Sequence, residues 1–251
     1  MSPLEGKTAV VTGAAGGIGA PVARMLRERG THVLGVDRLK ATECDECLVA
    51  DLADDTALQA LCARLARETP DILVNVAGVM RFGLHETQTL GALSLLYRIN
   101  LVVPAALAQA VCGPMRTRGS GQIVNIGSVL GAIPYPWFAA YSSSKAGLAA
   151  LSQALRRELD ATGVSVTHVN PRAARTSFNT TEVERFLSLA GMAADEPEWV
   201  AQRIVAAIAA RRPHLSIGAM ERVYAAINAL VPAVIDNGLK SQVRKARAAF
   251  S

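Results

Sequence analysis

What the 251-residue sequence lacks narrows its class. No signal peptide is expected, since residues 1–7 include Ser2, Glu5 and Lys7 and the first apolar run covers only 9–12. The longest apolar-rich stretch, 99–112, is interrupted by Asn100, Pro104 and Gln109 and is shorter than the ~20 apolar residues of a membrane span. A soluble, cytoplasmic chain is expected. Net charge is +5 with a pI of 9.3, the basic residues are scattered, and aromatic residues make up only 4%. No basic run interleaves with aromatics, which argues against nucleic acid as a partner. Cysteine occurs four times. Cys44 and Cys47 form a CxxC, but without a second CxxC or a nearby His a zinc site lacks ligands. They read as unpaired thiols in a surface connection, Cys62 and Cys112 as small core residues, and no metal site is expected. No repeat, low-complexity stretch or Pro/Gly/Ser-rich linker divides the chain, so residues 1–251 are read as a single domain.

What is present is apolar and patterned. Apolar residues are 51% of the chain and mean hydropathy is +0.26, as buried parallel strands would require. Short β-branched runs at 7–12, 32–36, 47–50, 71–76, 122–126 and 164–169 read as strands, with 214–217 as a last one. Helical patterns lie between them, notably at 56–67, 89–117 (bent near Asn100 and Pro104), 139–161 and 199–211. This alternation predicts an α/β chain with a three-layer, doubly wound parallel β-sheet and right-handed crossovers. Residues 172–191 show no strong periodicity and read as a long loop, with a substrate lid expected at about 172–196. A helical C-terminal tail is expected at about 219–251, and its basic residues read as a solvated helix end.

The first strand runs into Thr12-Gly13-x-x-x-Gly17-x-Gly19, and a helix follows. Glycines there let a pyrophosphate approach the backbone closely, and the helix N-terminus supplies N–H donors and the positive end of its dipole. Asp37 ends the second strand about twenty residues on, where a carboxylate accepts hydrogen bonds from ribose hydroxyls and repels a 2′-phosphate. Arg38 follows and could pair with such a phosphate, whereas Gly16 offers it nothing. NAD is therefore expected as cofactor, ahead of NADP.

Tyr141 and Lys145 stand four apart in a helical pattern and so share a face. A free phenol, with a pKa near ~10, is a poor base at neutral pH. A cation one turn away is expected to pull that pKa down, so that the phenol can take a proton from an alcohol or return one to a carbonyl.

With these residues in hand, the chain resembles the short-chain dehydrogenase/reductase family, in its single-domain branch, over residues 5 to about 176. The resemblance rests on the glycine motif at 12–19, Asp51-Leu52, Asn75-Val76-Ala77-Gly78, Asn100 after Ile99, Ser128 thirteen residues before Tyr141, and Tyr141-x-x-x-Lys145. It implies a Rossmann-fold, NAD(P)-binding domain with Asn100, Ser128, Tyr141 and Lys145 as catalytic residues. Tyr141 would be the general acid/base, Ser128 would hold the substrate oxygen, Asn100 would position a relay water, and Lys145 would bind the nicotinamide ribose. It also implies cofactor contacts from Gly13, Ala15, Gly17, Ile18 and Gly19 in the turn. Asp37, Arg38, Asp51 and Leu52 would meet the adenosine side, and Asn75, Ala77, Gly78, Pro171 and Thr176 would lie along the rest of the groove. Three departures stand out: Val76 for the family's second Asn, Arg172 for its Gly, and a C-terminus without its usual Asp-Gly-Gly. Arg172, with Arg175, is read as either a ligand for an anion or a solvated loop residue.

The resemblance makes an NAD-dependent oxidoreductase interconverting a secondary alcohol and a ketone the first expectation. An NADPH-dependent carbonyl reductase is the alternative, and a non-catalytic dinucleotide-binding sensor or scaffold the reading from another class. Phe178, Phe186, Leu187, Leu189 and Met192, with Ile133, Tyr135, Trp137 and Phe138, are expected to give an apolar pocket for a small to medium, apolar or cyclic substrate. The helices at 100–117 and 139–161 would support a homodimer or homotetramer.

Overall fold

The structure is a computed structural model that describes residues 2–250. Seven strands form one parallel sheet: β1 Thr8–Thr12, β2 His32–Asp37, β3 Glu46–Val49, β4 Ile72–Asn75, β5 Gly121–Ile126, β6 Val164–Asn170 and β7 His214–Ser216. Their order, β3-β2-β1-β4-β5-β6-β7, reverses direction beside β1, so a crevice opens between the C-terminal ends of β1 and β4. The fold is a doubly wound Rossmann sheet.

Side-chain alternation explains the layers. Along β1, Ala9 and Val11 face one core, with Val22 and Leu26 of α1 (Gly19–Arg27) and Ile204 and Ile208 of α7 (Pro197–Ala209). Val10 faces the other, with Leu61 and Leu65 of α2 (Asp55–Glu68) and Leu107 and Val111 of α4 (Val103–Arg118). Asp54 caps α2 by accepting from the Ala57 N–H. Cys44 and Cys47 are free, half-buried thiols packed against the first core, and Cys47 lies within β3 rather than in a surface connection.

The helical run at 89–117 is divided. α3 (Leu90–Tyr97) passes through a π-helical turn at Arg98–Val102 into α4. Pro104 near the start of α4 lacks the N–H that a helix interior would need. The combined run Leu90–Arg118 is long and apolar enough by composition to cross a membrane. In the fold Leu96, Ile99, Val103, Leu107, Val111 and Met115 are buried in the cores instead.

One expectation is corrected. Within the supposed loop at 172–191 lies a helix, α6 (Thr181–Leu189). Thr180 caps it by accepting from the Val183 N–H, and Val183, Phe186 and Leu187 form its buried stripe. α5 (Ala139–Glu158) carries Tyr141 and Lys145. α8 (Ala219–Leu230) and α9 (Pro232–Phe250) end the chain, and α9 packs on α6: Gln242 reaches the Ala190 carbonyl and Ala246 is buried.

Candidate active site

A cavity of ≈ 390 Å³ lies at the C-terminal end of the sheet, from the glycine-rich turn to Tyr141. Gly13 has φ +70°, and a Cβ there would fall 2.8 Å from the Ala77 backbone. The β1–α1 turn and the β4 loop are thereby in backbone contact. Thr12 reinforces the join, its Oγ1 accepting from the Val76 and Ala77 N–H groups, each at 3.2 Å. A Cβ on Gly17 would fall 2.4 Å from Thr176 Cγ2, so segment 172–196 closes directly onto the turn. No side chain caps the N-terminus of α1, and its first turn holds no carboxylate. In its first turn Ala20 donates to the Gly16 carbonyl and Pro21 has no N–H, so the Gly19 N–H and the helix dipole are what suit an anion.

At the far end of the cavity, Asp37 Oδ2 accepts from the Ala15 N–H (3.0 Å) and Oδ1 from the Leu39 N–H (3.2 Å). The carboxylate is held in place, and each oxygen keeps a lone pair for a hydroxyl. Arg38, Asp51 and Leu52 line the wall beside it. A groove with glycine backbone and an uncapped helix at its middle and a fixed acid at its end fits a dinucleotide.

Toward the other end stand Ser128, Tyr141 and Lys145. Ser128 opens a 3₁₀ turn, Val129–Gly131, and its Oγ accepts from the Leu130 N–H at 3.1 Å. Lys145 Nζ donates to the Ile126 carbonyl at 2.9 Å and lies 5.9 Å from the centre of the Tyr141 ring. That bond is its only one among the described residues, which leaves donors for a ligand's hydroxyls. Burial pushes the Tyr141 phenol up to about 12, opposed by a hydrogen bond with Ser128. Burial also draws the Lys145 ammonium down to about 8. The expected lowering of the phenol by the cation is thus not found in the protein alone. Desolvation outweighs a charge that is held on a carbonyl rather than on the phenol.

Of the residues expected at the cofactor, Gly13, Gly17, Ile18, Gly19, Asp37, Arg38, Asp51, Leu52, Ala77, Gly78, Pro171 and Thr176 line the cavity, as do Tyr141 and Lys145. Ala15, Asn75 and Asn100 do not. Ala15 spends its N–H on Asp37. Asn75 is buried and donates to Asn125 Oδ1 at 2.8 Å. Asn100, in the π turn, is also buried: Oδ1 accepts from the Val79 N–H (2.8 Å), and Nδ2 donates to the Val79 carbonyl (2.9 Å) and Ser144 Oγ (3.0 Å). An amide so engaged holds the β4 loop and has no N–H left for a relay water.

Apolar side chains surround the remaining space: Val79, Met80, Leu95, Phe138, Phe178, Val183, Leu187 and Met192. Leu95 and Val183 escaped the sequence reading, although the 183/186/187 stripe carried the signal for Val183. Ile133, Tyr135, Trp137, Phe186 and Leu189 do not line it. Trp137 and Phe186 pack with Phe82 and Phe138 behind the wall. Arg172 lines the cavity and is partly exposed but not free, for it pairs with Asp195 through two nitrogens and with Glu221 at 3.3 Å. Arg175 pairs with Glu196 at the surface.

The family profile of the short chain dehydrogenases matches residues 7–185. The chain is 36% identical over 189 residues to 2,3-dihydro-2,3-dihydroxybenzoate dehydrogenase of Bacillus subtilis (strain 168), covering 70% of this chain and 72% of that one. Among solved structures, a short-chain dehydrogenase from Streptomyces avermitilis aligns with a TM-score of 0.78 at 27% identity, over 96% of this chain and 98% of that one. One from Sphingobium yanoikuyae in complex with NADPH also gives 0.78, at 28% identity over 92% and 95%. The chain belongs to the short-chain dehydrogenase family and is an oxidoreductase of it.

Proposed function

We propose that this protein interconverts a secondary alcohol and a ketone on a small to medium, apolar or cyclic substrate, with NAD as cofactor. The observation that carries the reading is that Ser128, Tyr141 and Lys145 line one cavity together, between an apolar pocket and the dinucleotide groove. The turn at Gly13–Gly19 would hold the pyrophosphate, Asp37 the adenosine ribose, and Lys145 the nicotinamide ribose. Bound in its oxidised form, the cofactor supplies a hydride acceptor and a positive charge. Ionised beside that positive charge, Tyr141 Oη takes the proton of the alcohol, and in the reverse direction returns it to the ketone oxygen. Ser128 Oγ holds that oxygen beside Tyr141. Asn100 acts from behind, fixing Val79 at the edge of the pocket. Segment 172–196 serves as the lid of a single nucleotide-binding domain, clamped by the Arg172 ion pairs.

The cyclic part of the reading draws support from the Bacillus subtilis relative, whose name describes a ring diol. Asp37 supports NAD, although Arg38 beside it has no ion-pair partner among the described residues and favours the NADPH alternative. Exposed Leu90, at the start of α3, and Val102, just before α4, support a homo-oligomer. Titration with NADH and with NADPH, followed by nicotinamide fluorescence, tests the cofactor. Tighter NADH, with the preference lost in Asp37→Ala, is expected, and tighter NADPH would overturn the assignment. Turnover is then screened on cyclic and open-chain secondary alcohols with NAD. Failure to oxidise any of them, together with failure to reduce the matching ketones, would remove the alcohol–ketone reading.

A further inference from the structure

Behind Ser128, on the side away from the cavity, runs a buried polar chain that the proposed reaction does not use. β5 and β6 are neighbours, with Asn125 opposite His168 and Ile126 opposite Val169. His168 Nε2 lies 2.9 Å from Asn170 Oδ1, and the Ser128 N–H donates to the same oxygen at 3.1 Å. On its other side His168 Nδ1 lies 3.1 Å from Ser152 Oγ. Ser152 Oγ accepts from Asn125 Nδ2 at 2.9 Å, and the Leu148 carbonyl, 2.7 Å away, is a second acceptor for the Ser152 proton. His168 and Asn170 are both buried.

We infer that His168 is a positioning residue that fixes Ser128 through Asn170, an inference that rests on the reading of Ser128 as the holder of the substrate oxygen. An amide oxygen only accepts, so His168 Nε2 must carry the proton, and Nδ1 is left as an acceptor that shares the one Ser152 proton with the Leu148 carbonyl. Burial, with Lys145, Arg156 and His214 nearby, draws the imidazole down to about 4 against the raising effect of Asn170. The ring is therefore neutral at pH 7, with a single N–H, and that N–H points at Asn170. Asn170 Oδ1 thus receives two N–H donors. Were the amide turned over, its NH₂ would face both of them, so the Ser128 N–H and the His168 N–H together fix which way Asn170 points. The ring also fills the space beside Gly127, where a Cβ would fall 2.5 Å from His168 Nε2 and 2.4 Å from Asn170 Oδ1. The Gly127 N–H donates to the Val169 carbonyl at 2.7 Å and the Val129 N–H to that of Pro171 at 3.0 Å. The Ser128 N–H lies between these two anchors, and Asn170 is what holds it. Released, Ser128 can turn its Oγ away from Tyr141, and misplacing a reacting group by about 1 Å costs up to ~10²-fold in rate.

The test compares His168→Leu, which fills the space without an N–H, with His168→Gln, which restores a donor near Nε2. Two readouts are taken. The first is amide hydrogen exchange of Ser128 by NMR, which needs no turnover. Protection is expected to fall at least tenfold in His168→Leu and to return in His168→Gln. The second is steady-state kinetics on whichever alcohol the wild type oxidises. His168→Leu should lose roughly 10- to 100-fold in kcat with NADH affinity within twofold of wild type, and His168→Gln should recover most of the rate. Unchanged Ser128 protection in His168→Leu would overturn the inference whatever the kinetics. So would equal losses in both variants accompanied by lost NADH binding, which would mark a purely structural residue. A wild type without turnover that still shows the exchange pattern would sink the reading of the reaction and leave the positioning of Ser128 by His168 standing.

Discussion

Replacing Lys145 with Met should stabilise the protein while removing its activity. Lys145 is 4% exposed and its ammonium makes one hydrogen bond among the described residues, to the Ile126 carbonyl. Burial draws its pKa from 10.5 to about 8. At ~1.36 kcal/mol per pH unit, holding the charged form in the fold costs on the order of 3 kcal/mol. Below pH 8 the folded chain bears that cost in full. Between pH 8 and 10.5 the folded protein releases a proton that the unfolded chain keeps, so the contribution of Lys145 to stability rises with pH. Above 10.5 both states are neutral and the cost is gone. Met has similar length and no charge, but it leaves the Ile126 carbonyl without its donor, at about 1 kcal/mol. The expected outcome is a gain of about 2 kcal/mol at pH 7, equivalent to roughly 4–8 °C in Tm for a chain of this size. The gain should shrink above pH 8, vanish near pH 10, and become a loss of up to about 1 kcal/mol above 10.5, where only the missing hydrogen bond remains. Urea unfolding of both proteins at equal concentration from pH 7 to 10 measures it, and other groups titrating in that range cancel in the difference. A variant less stable than wild type at pH 7, or a difference that does not change with pH, would refute the assignment of a costly buried charge.

Three further outcomes are expected. Tyr141→Phe should lower turnover by about 10³-fold, in line with loss of a general acid/base, and leave NADH affinity within twofold; substantial residual rate would remove Tyr141 from proton transfer. Gly17→Ala places a Cβ 2.4 Å from Thr176 Cγ2 and 2.6 Å from its Cβ, so segment 172–196 must move. A loss of stability of about 1–3 kcal/mol and weaker NADH binding should follow, and an unchanged titration would show that the contact is not needed. Arg172→Ala leaves Asp195, with only 11% of its side chain exposed, without its cation. Proteolytic cleavage within 172–196 should quicken, with about 1–2 kcal/mol lost in stability; equal cleavage rates would show that the clamp holds nothing.

Much of this architecture was legible because its signals are local. A strand of Thr, Ala and Val running into glycines, and a Tyr and a Lys one helical turn apart, are read from neighbours within about a turn of chain. Helix α6 belonged to the same kind of signal. Over 172–191 read as a whole, the polar residues on either side dilute its three-residue stripe and hide it. Arg172 was beyond reach for another reason. Its partners, Asp195 and Glu221, lie 23 and 49 residues away. Nothing near Arg172 in the chain tells a clamped guanidinium from an anion ligand.

The deeper limit concerns residues whose identity a motif carries but whose work the fold assigns. The spacing of Tyr141 and Lys145 places them on one face, yet spacing says nothing of how far both are buried, and burial sets their protonation. Asn75 and Asn100 belong to the motif just as Tyr141 does, but both are buried inside the wall rather than in the cavity, Asn75 donating to Asn125 and Asn100 engaged with Val79. His168 matches no motif and sits mid-strand, where a polar side chain is easily passed over as an exposed strand position. Parallel pairing sets it opposite Asn125, and the loop after β5 then brings Ser128 to Asn170. The residues that touch a ligand are thus visible as patterns along the chain. Those that hold them in place are joined across strands, and only the register of β5 against β6 brings them into view.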